Sequence, residues 1–240
     1  MRTLYKIWVL SRREFFVTLY SPIAFIIAAV FLGIFGFIFY SVVRNTERAS
    51  MREVFETMSM VLIFVIPIIT MRSFAEEKKS GTLEMVLTAP VTEFELVSAK
   101  FIGCMSFYLF LLAPTTLYLY RLIRWGASPD MEEIKTGYVG MVLLGAVYTS
   151  FGILCSSLVR DQIVAAFVSC IILLGFNLVG IAGQYVKNEW VTVVYFLTLG
   201  THMNDFYRGI ITLRGLTYFL SLILTFYFLT IKVVEAKKWQ

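Results

Sequence analysis

The sequence predicts an all-α integral membrane protein with six transmembrane helices, and three observations point there. Of the 240 residues, 59% are hydrophobic and only 15% are charged, whereas a soluble domain averages nearer half apolar and about a quarter charged. Apolar runs of about 20 residues, the length that crosses the hydrocarbon core, recur along the chain. Lys and Arg flank those runs, so the net charge of +5 reads as membrane-flanking charge and not as a nucleic-acid surface.

The expected spans run from Pro22 to Val43, Val54 to Met71, Leu96 to Tyr120, Gly137 to Val159, Ile163 to Val186 and Leu216 to Val234. No linker or repeat divides the chain, so residues 1–240 are expected to form one domain. The stretch before the first span, 1–21, reads as an amphipathic helix lying in the membrane interface. On a helical wheel Leu4, Trp8, Phe15 and Leu19 share one face, with Arg2, Lys6 and Arg13 opposite. The first apolar run is long enough to stay as an uncleaved anchor. Between the last two spans, 187–215 is expected on the far side, with Trp190 to Gly200 too short to span and therefore interfacial or re-entrant. Six spans put both ends of the chain on one side, and a slight excess of Lys and Arg there favours the cytoplasm. Cys104, Cys155 and Cys170 all fall in apolar runs and read as free thiols.

One polar segment interrupts this pattern: "RSFAEEKKSGTLEMVLTAPVTEFELVSAK", Arg72 to Lys100. Its "AEEKK" extends the second helix beyond the membrane, with Glu-to-Lys support at i,i+3, and Ser80-Gly81 breaks it. "TLEMVLT" forms a short helix with Ser80 or Thr82 as N-cap, Glu84 near its positive end, and an apolar face of Leu83, Val86 and Leu87. Pro90 ends it, and Thr92 with Glu95 makes a capping box that opens the third span. Two turns of helix cannot bury that apolar face alone, so it calls for a docking partner.

This segment resembles the hallmark of ABC type-2 permeases, the membrane subunits of a large group of ABC exporters. Arg72, Ala75, Glu76, Glu77, Lys78, Gly81, Thr82, Leu83, Glu84, Leu87, Thr88, Pro90 and Lys100 match its pattern. "RREFFVTLYSPIAFIIAAVFLGIFGFIFY" near the start and "FYRGIITLRGLTYFLSLILTFYFLTIKVVE" near the end are similar to the same family. Gliding-motility and copper-maturation permeases share the size and layout. The resemblance implies a coupling helix within 72–95, seated in a cleft of an ATPase subunit, with Glu76, Glu77, Gly81, Thr82, Leu83, Glu84, Val86, Leu87 and Pro90 forming that contact. It also implies cytoplasmic termini, a bacterial inner membrane, two ATPase copies and a second permease chain, identical or homologous. The sequence holds no Gly-x-x-x-x-Gly-Lys-[Ser/Thr] loop, so ATP and Mg²⁺ are expected on the ATPase partner, and the chain itself is not expected to be an enzyme.

Other polar residues are weighed against ordinary packing. Asn177 lies within the fifth span and either lines a translocation path or makes an interhelical hydrogen bond. His202, Asp205 and Arg208 on the far side form either an external gate or a structural Asp–Arg pair. Gly33, Gly36, Gly145, Gly152, Gly175 and Gly180 are read as packing or bending positions, and Pro67 and Pro114 as kinks. Met51, Met58 and Met60 are read as apolar filler, with no metal site. Two rival functions remain at this stage. An ion-coupled secondary transporter would want intramembrane carboxylates, of which the spans are nearly bare. The other rival is a membrane anchor for a larger machine such as a gliding apparatus.

Overall fold

A computed structural model of the chain describes residues 2–45, 51–82, 91–118, 120, 130–182 and 198–238, which form helices joined by turns. We number the helices α1 (Arg2–Leu19), α2 (Pro22–Asn45), α3 (Arg52–Thr70), α4 (Arg72–Lys79), α5 (Glu93–Leu112), α6 (Met131–Leu158), α7 (Gln162–Ala182), α8 (Leu199–Tyr207) and α9 (Leu213–Lys238). Six are long and apolar enough to cross a membrane: α2, α3 continued through α4, α5 with the turn after it, α6, α7 and α9. They coincide with the six expected spans. The fourth begins earlier than expected, at Met131, because Asp130 caps it by accepting from Glu132 N–H at 2.9 Å.

The middle of the bundle is α6, which packs against α3, α4, α5, α7, α8 and α9. Glycines on α6 set how closely several of these neighbours approach. A Cβ on Gly137 would fall 2.4 Å from the Phe55 ring of α3, one on Gly145 would fall 2.2 Å from the Tyr108 ring of α5, and one on Gly152 would fall 2.1 Å from Thr70 Oγ1. Small residues permit such approach where water offers no hydrophobic drive between helices. Tyr108 then donates to Met141 C=O at 2.9 Å, tying α5 to α6. Gly36 on α2 likewise accommodates Tyr118. Gly33 and Gly175 do not act this way, since nothing lies within 4 Å of a Cβ there.

Pro67 lies inside α3 and cannot donate to the preceding turn. The helix nonetheless runs on: Met71 N–H donates to Pro67 C=O at 2.9 Å, and the Thr70 hydroxyl adds a bond to Ile66 C=O at 3.0 Å. Pro114 sits in a 3-10 turn, Ala113–Thr115, that ends α5. Met51 and Met58 are buried in the core while Met60 is exposed. No group of metal-ligating side chains occurs among the described residues. All three cysteines are free.

The outer faces of α2, α7 and α9 expose Phe25, Phe37, Phe167, Ile171, Leu224 and Phe228, which suits a lipid or helix environment. Helix α1 meets the bundle through only part of its apolar face. Phe15 and Leu19 pack on the core, but Leu4 and Trp8 on the same face are exposed, at 75% and 64%. The side of α1 that meets α5 instead presents Ser11 and Glu14. A wheel ranks residues by hydrophobicity and cannot foresee that a carboxylate will be wanted inside.

Gly145→Val should lower the melting temperature of the detergent-purified protein, with an overpacking cost of about 1–3 kcal/mol. Gly175→Ala, facing open space, should leave it unchanged in the same thermal unfolding measurement.

Candidate functional site

Among the described residues, the ion pairs concentrate at one end of the bundle, where α1, α4, the start of α5, the end of α6 and the start of α7 meet. The beginning of α5 is set by the capping box expected from the sequence: Glu95 N–H donates to Thr92 Oγ1 at 3.2 Å, and Thr92 N–H donates to Glu95 Oε2 at 3.0 Å. Lys6 of α1 reaches the same Glu95 carboxylate at 3.7 Å. Two turns further on is Lys100, only 1% exposed.

A buried ammonium needs partners for all three of its N–H bonds, and Lys100 has three. It donates to Glu77 Oε1 of α4 at 2.7 Å, to Glu14 Oε1 of α1 at 3.2 Å and to Ser73 C=O at 2.5 Å. The Phe74 ring lies 4.8 Å from it, close enough for a cation–π contribution. Gly103, one turn along α5, makes the arrangement possible. A Cβ there would fall 2.6 Å from Glu14 Cβ and 3.2 Å from Ser11 C=O, so only glycine lets α1 settle this close.

Helix α4 is fastened on its other side as well. Phe74 and Ala75 N–H, unpaired at the start of a helix, both donate to Ser156 Oγ of α6, at 3.0 and 3.1 Å. Ser156 Oγ donates in turn to Met71 C=O at 2.9 Å. It thus caps α4 from a different helix, a role worth about 1 kcal/mol when played locally. The last carbonyls of α6 are met by lysines, as suits the negative end of a helix dipole. Lys78 donates to Ser157 and Val159 C=O, and Lys237 of α9 donates to Ser157 C=O at 2.6 Å. Arg72 reaches Ser21 Oγ at 2.5 Å, Gln162 Oε1 at 3.4 Å and Glu76 at 3.7 Å. Lys79 pairs with Asp161 at 3.0 Å. The expected Glu76–Lys79 support within α4 is therefore replaced by an i,i+4 pair, Arg72–Glu76, and by a tertiary pair, Lys79–Asp161.

Gly81 ends α4 at φ +71°, a left-handed conformation that glycine adopts without strain. Ser80 caps α4 at its C-terminal end by donating to Glu76 C=O at 2.9 Å, and it meets Thr82 Oγ1 at 2.8 Å. Of the proposed docking residues, Glu76, Glu77, Gly81 and Thr82 are thus placed at this end. Leu83, Glu84, Val86, Leu87 and Pro90 lie outside the described residues, as does most of Trp190 to Gly200. Asn177 Nδ2 donates to Tyr148 OH at 3.1 Å and to Leu173 C=O at 2.9 Å, an interhelical bond between α7 and α6. At the opposite end, His202 is buried and stacks on Tyr218 with ring centroids 4.1 Å apart. Asp205 accepts from Thr212 Oγ1 at 3.1 Å and makes no ion pair with Arg208, which is exposed. The Asp–Arg pair expected from the sequence does not form, because the turn into α9 brings Thr212 nearer.

Sequence reasoning missed Glu14, Ser73 and Ser156 as members of this site. One signal was available. Lys100, a cation in an apolar run, requires a buried acid, and Glu14 is the lone acid of a basic helix.

An all-α bundle of six membrane-long helices with one polar, tightly cross-bonded end is a multi-pass membrane protein. The sequence model of the ABC-2 family of transporter proteins matches residues 53–226, and the chain belongs to that family. The family is one of transporter membrane proteins. Over 136 residues it is 31% identical to the uncharacterized membrane protein YdbK of Bacillus subtilis (strain 168), an overlap of 53% of this chain and 54% of that one. The chain thus matches about half the length of this relative. Glu77 and Lys100 fall inside the family match, whereas Glu14 precedes it.

Lys100→Met should destabilise the protein by about 3–5 kcal/mol, since it leaves two partly buried carboxylates without their counter-charge. Adding Glu14→Gln and Glu77→Gln should recover much of the loss. Chemical unfolding of the single, double and triple variants in detergent measures both effects.

Proposed function

We propose that the chain is the membrane-spanning half of an ATP-driven exporter in a bacterial inner membrane, with ATP and Mg²⁺ bound by a separate ATPase subunit. The complex holds two ATPase copies and a second permease, identical or homologous to this one. The α1 end faces the cytoplasm, and Leu83, Val86 and Leu87 dock on the ATPase. The observation that carries this reading is the Lys100 cluster. It joins α1, α4 and α5 at the root of the 80–92 segment, so that displacement of that segment is passed to the bundle and not absorbed locally.

In this reading ATP-driven closure of the ATPases pushes the segment, and the two permeases rock against each other to alternate access. The path lies between them, since glycine-packed α6 fills the centre of each bundle. His202, Asp205 and Arg208 then stand at the outward end of the moving parts. The ion-coupled alternative gains little from the buried carboxylates. Glu14 and Glu77 are both held by Lys100 at one end of the bundle, and are not strung across it.

Leu83→Asp or Leu87→Asp should leave membrane insertion and melting temperature unchanged. Either should cut retention of the co-expressed ATPase by about tenfold or more, as losing a hot-spot contact does. Affinity purification, together with ATP-dependent transport in vesicles, reads the outcome. Unaltered ATPase retention and transport in both variants would falsify the docking assignment.

A further inference from the structure

At the same end of the bundle a cavity of about 210 Å³ lies between α1, the start of α2 and the α3–α4 junction. A single water needs only about 30 Å³, so this is room for a larger guest. Its walls divide by chemistry. Val17, Ile23, Ile27 and Ile68 make one part apolar, and Val17 and Ile68 are also exposed on the outside of the bundle. Arg13, Arg72, Ser73, Glu76 and Glu77 make the other part polar.

Two polar atoms in that second part are buried with no nitrogen or oxygen partner among the described residues: Glu77 Oε2, and Ser73 Oγ, whose neighbour is the weakly hydrogen-bonding Cys104 thiol. Ser73 is only 5% exposed. Buried polar atoms are normally satisfied, so two such atoms one turn apart on α4 call for a group that can donate to both. Lys100 cannot do so, because its three N–H bonds go to Glu14, Glu77 Oε1 and Ser73 C=O. Charge tells the same story. Two carboxylates surround one ammonium, and the further positive charge acting on Glu77, that of Arg13, stands at the exposed edge and not in contact with it, so the inner face of Glu77 has no close counter-charge of its own. Arg13, exposed at the cavity edge, forms no salt bridge among the described residues.

We propose that this cavity binds the headgroup of an aminophospholipid from the adjoining leaflet. The primary ammonium donates to Glu77 Oε2 and Ser73 Oγ, the phosphodiester sits against Arg13 and Arg72, and the acyl chains leave past Val17 and Ile68. A zwitterion supplies a cation to the carboxylate and an anion to Arg13 while adding no net charge. A choline headgroup has no N–H to give the two orphan acceptors, and a glycerol headgroup brings no cation. The apolar wall favours the lipid over a soluble ester with the same primary-amine phosphodiester chemistry. This site needs only the chain in a lipid environment and stands independently of any ATPase.

The test titrates the detergent-purified chain with short-chain phosphatidylethanolamine, phosphatidylcholine and phosphatidylglycerol, and with soluble glycerophosphoethanolamine. Native mass spectrometry reads binding, and thermal unfolding is followed in parallel. Phosphatidylethanolamine should bind about tenfold more tightly than the other two lipids, as two hydrogen bonds to buried acceptors imply, and glycerophosphoethanolamine more weakly than the lipid. Arg13→Gln should weaken phosphatidylethanolamine binding by about tenfold, the loss of one charged contact, with the lipid-free melting temperature unchanged. Ser73→Ala removes an unsatisfied hydroxyl, so it should keep or raise the lipid-free melting temperature while reducing the preference for phosphatidylethanolamine. Equal binding of the three lipids overturns the proposal. So does glycerophosphoethanolamine binding as tightly as the lipid, or a preference that survives both substitutions.

Discussion

Much of this structure depends on the need of Lys100 to be neutralised and fully hydrogen-bonded inside a bundle that excludes water. An ammonium in that setting is tolerated only with acceptors in place. The acceptors come from two other helices, Glu14 of α1 and Glu77 of α4. Three pieces of chain that hydrophobicity alone would leave free to slide are therefore held in one register. Gly103 is the complementary constraint, since a larger residue would push α1 away and leave Glu14 out of reach.

The same logic of satisfying polar groups organises the rest of that end. Ser156 takes up the free N–H groups where α4 restarts after Met71, and Lys78 and Lys237 take up the free carbonyls where α6 stops. Each bond joins helices distant in sequence, so the helix ends cap one another instead of being capped by their own loops. The centre of the bundle is held differently. There, glycines on α6 admit the rings of Phe55 and Tyr108, and close packing replaces hydrogen bonding. A cross-bonded polar end joined to a tightly packed apolar shaft suits the transfer of motion proposed above. The cavity beside Lys100 belongs to the same design. Lys100 answers only one oxygen of Glu77, and the other is left without a hydrogen-bond partner beside the cavity.

The six spans, the capping box at Thr92 and Glu95, and the break at Gly81 were all legible in the sequence. They depend on local properties: hydrophobic length, a side chain within reach of its own backbone, and a residue that accepts positive φ. The family was legible for a related reason, because its hallmark lies in one contiguous segment. Where local reasoning was extended to pairing it went astray. Lys79 found a tertiary partner in Asp161, leaving Glu76 to Arg72 of its own helix, and Asp205 took Thr212 instead of Arg208.

By itself, then, the sequence determined how many times the chain can cross a membrane, where its polar segment falls and which family it resembles. Hydrophobic length and contiguous motifs need no knowledge of neighbours in space. The tertiary structure alone decided which carboxylates answer Lys100, which hydroxyl caps α4 and which glycines face a ring. Those outcomes depend on the distance between side chains separated by 23 to 86 residues, and only the packing of the helices sets it.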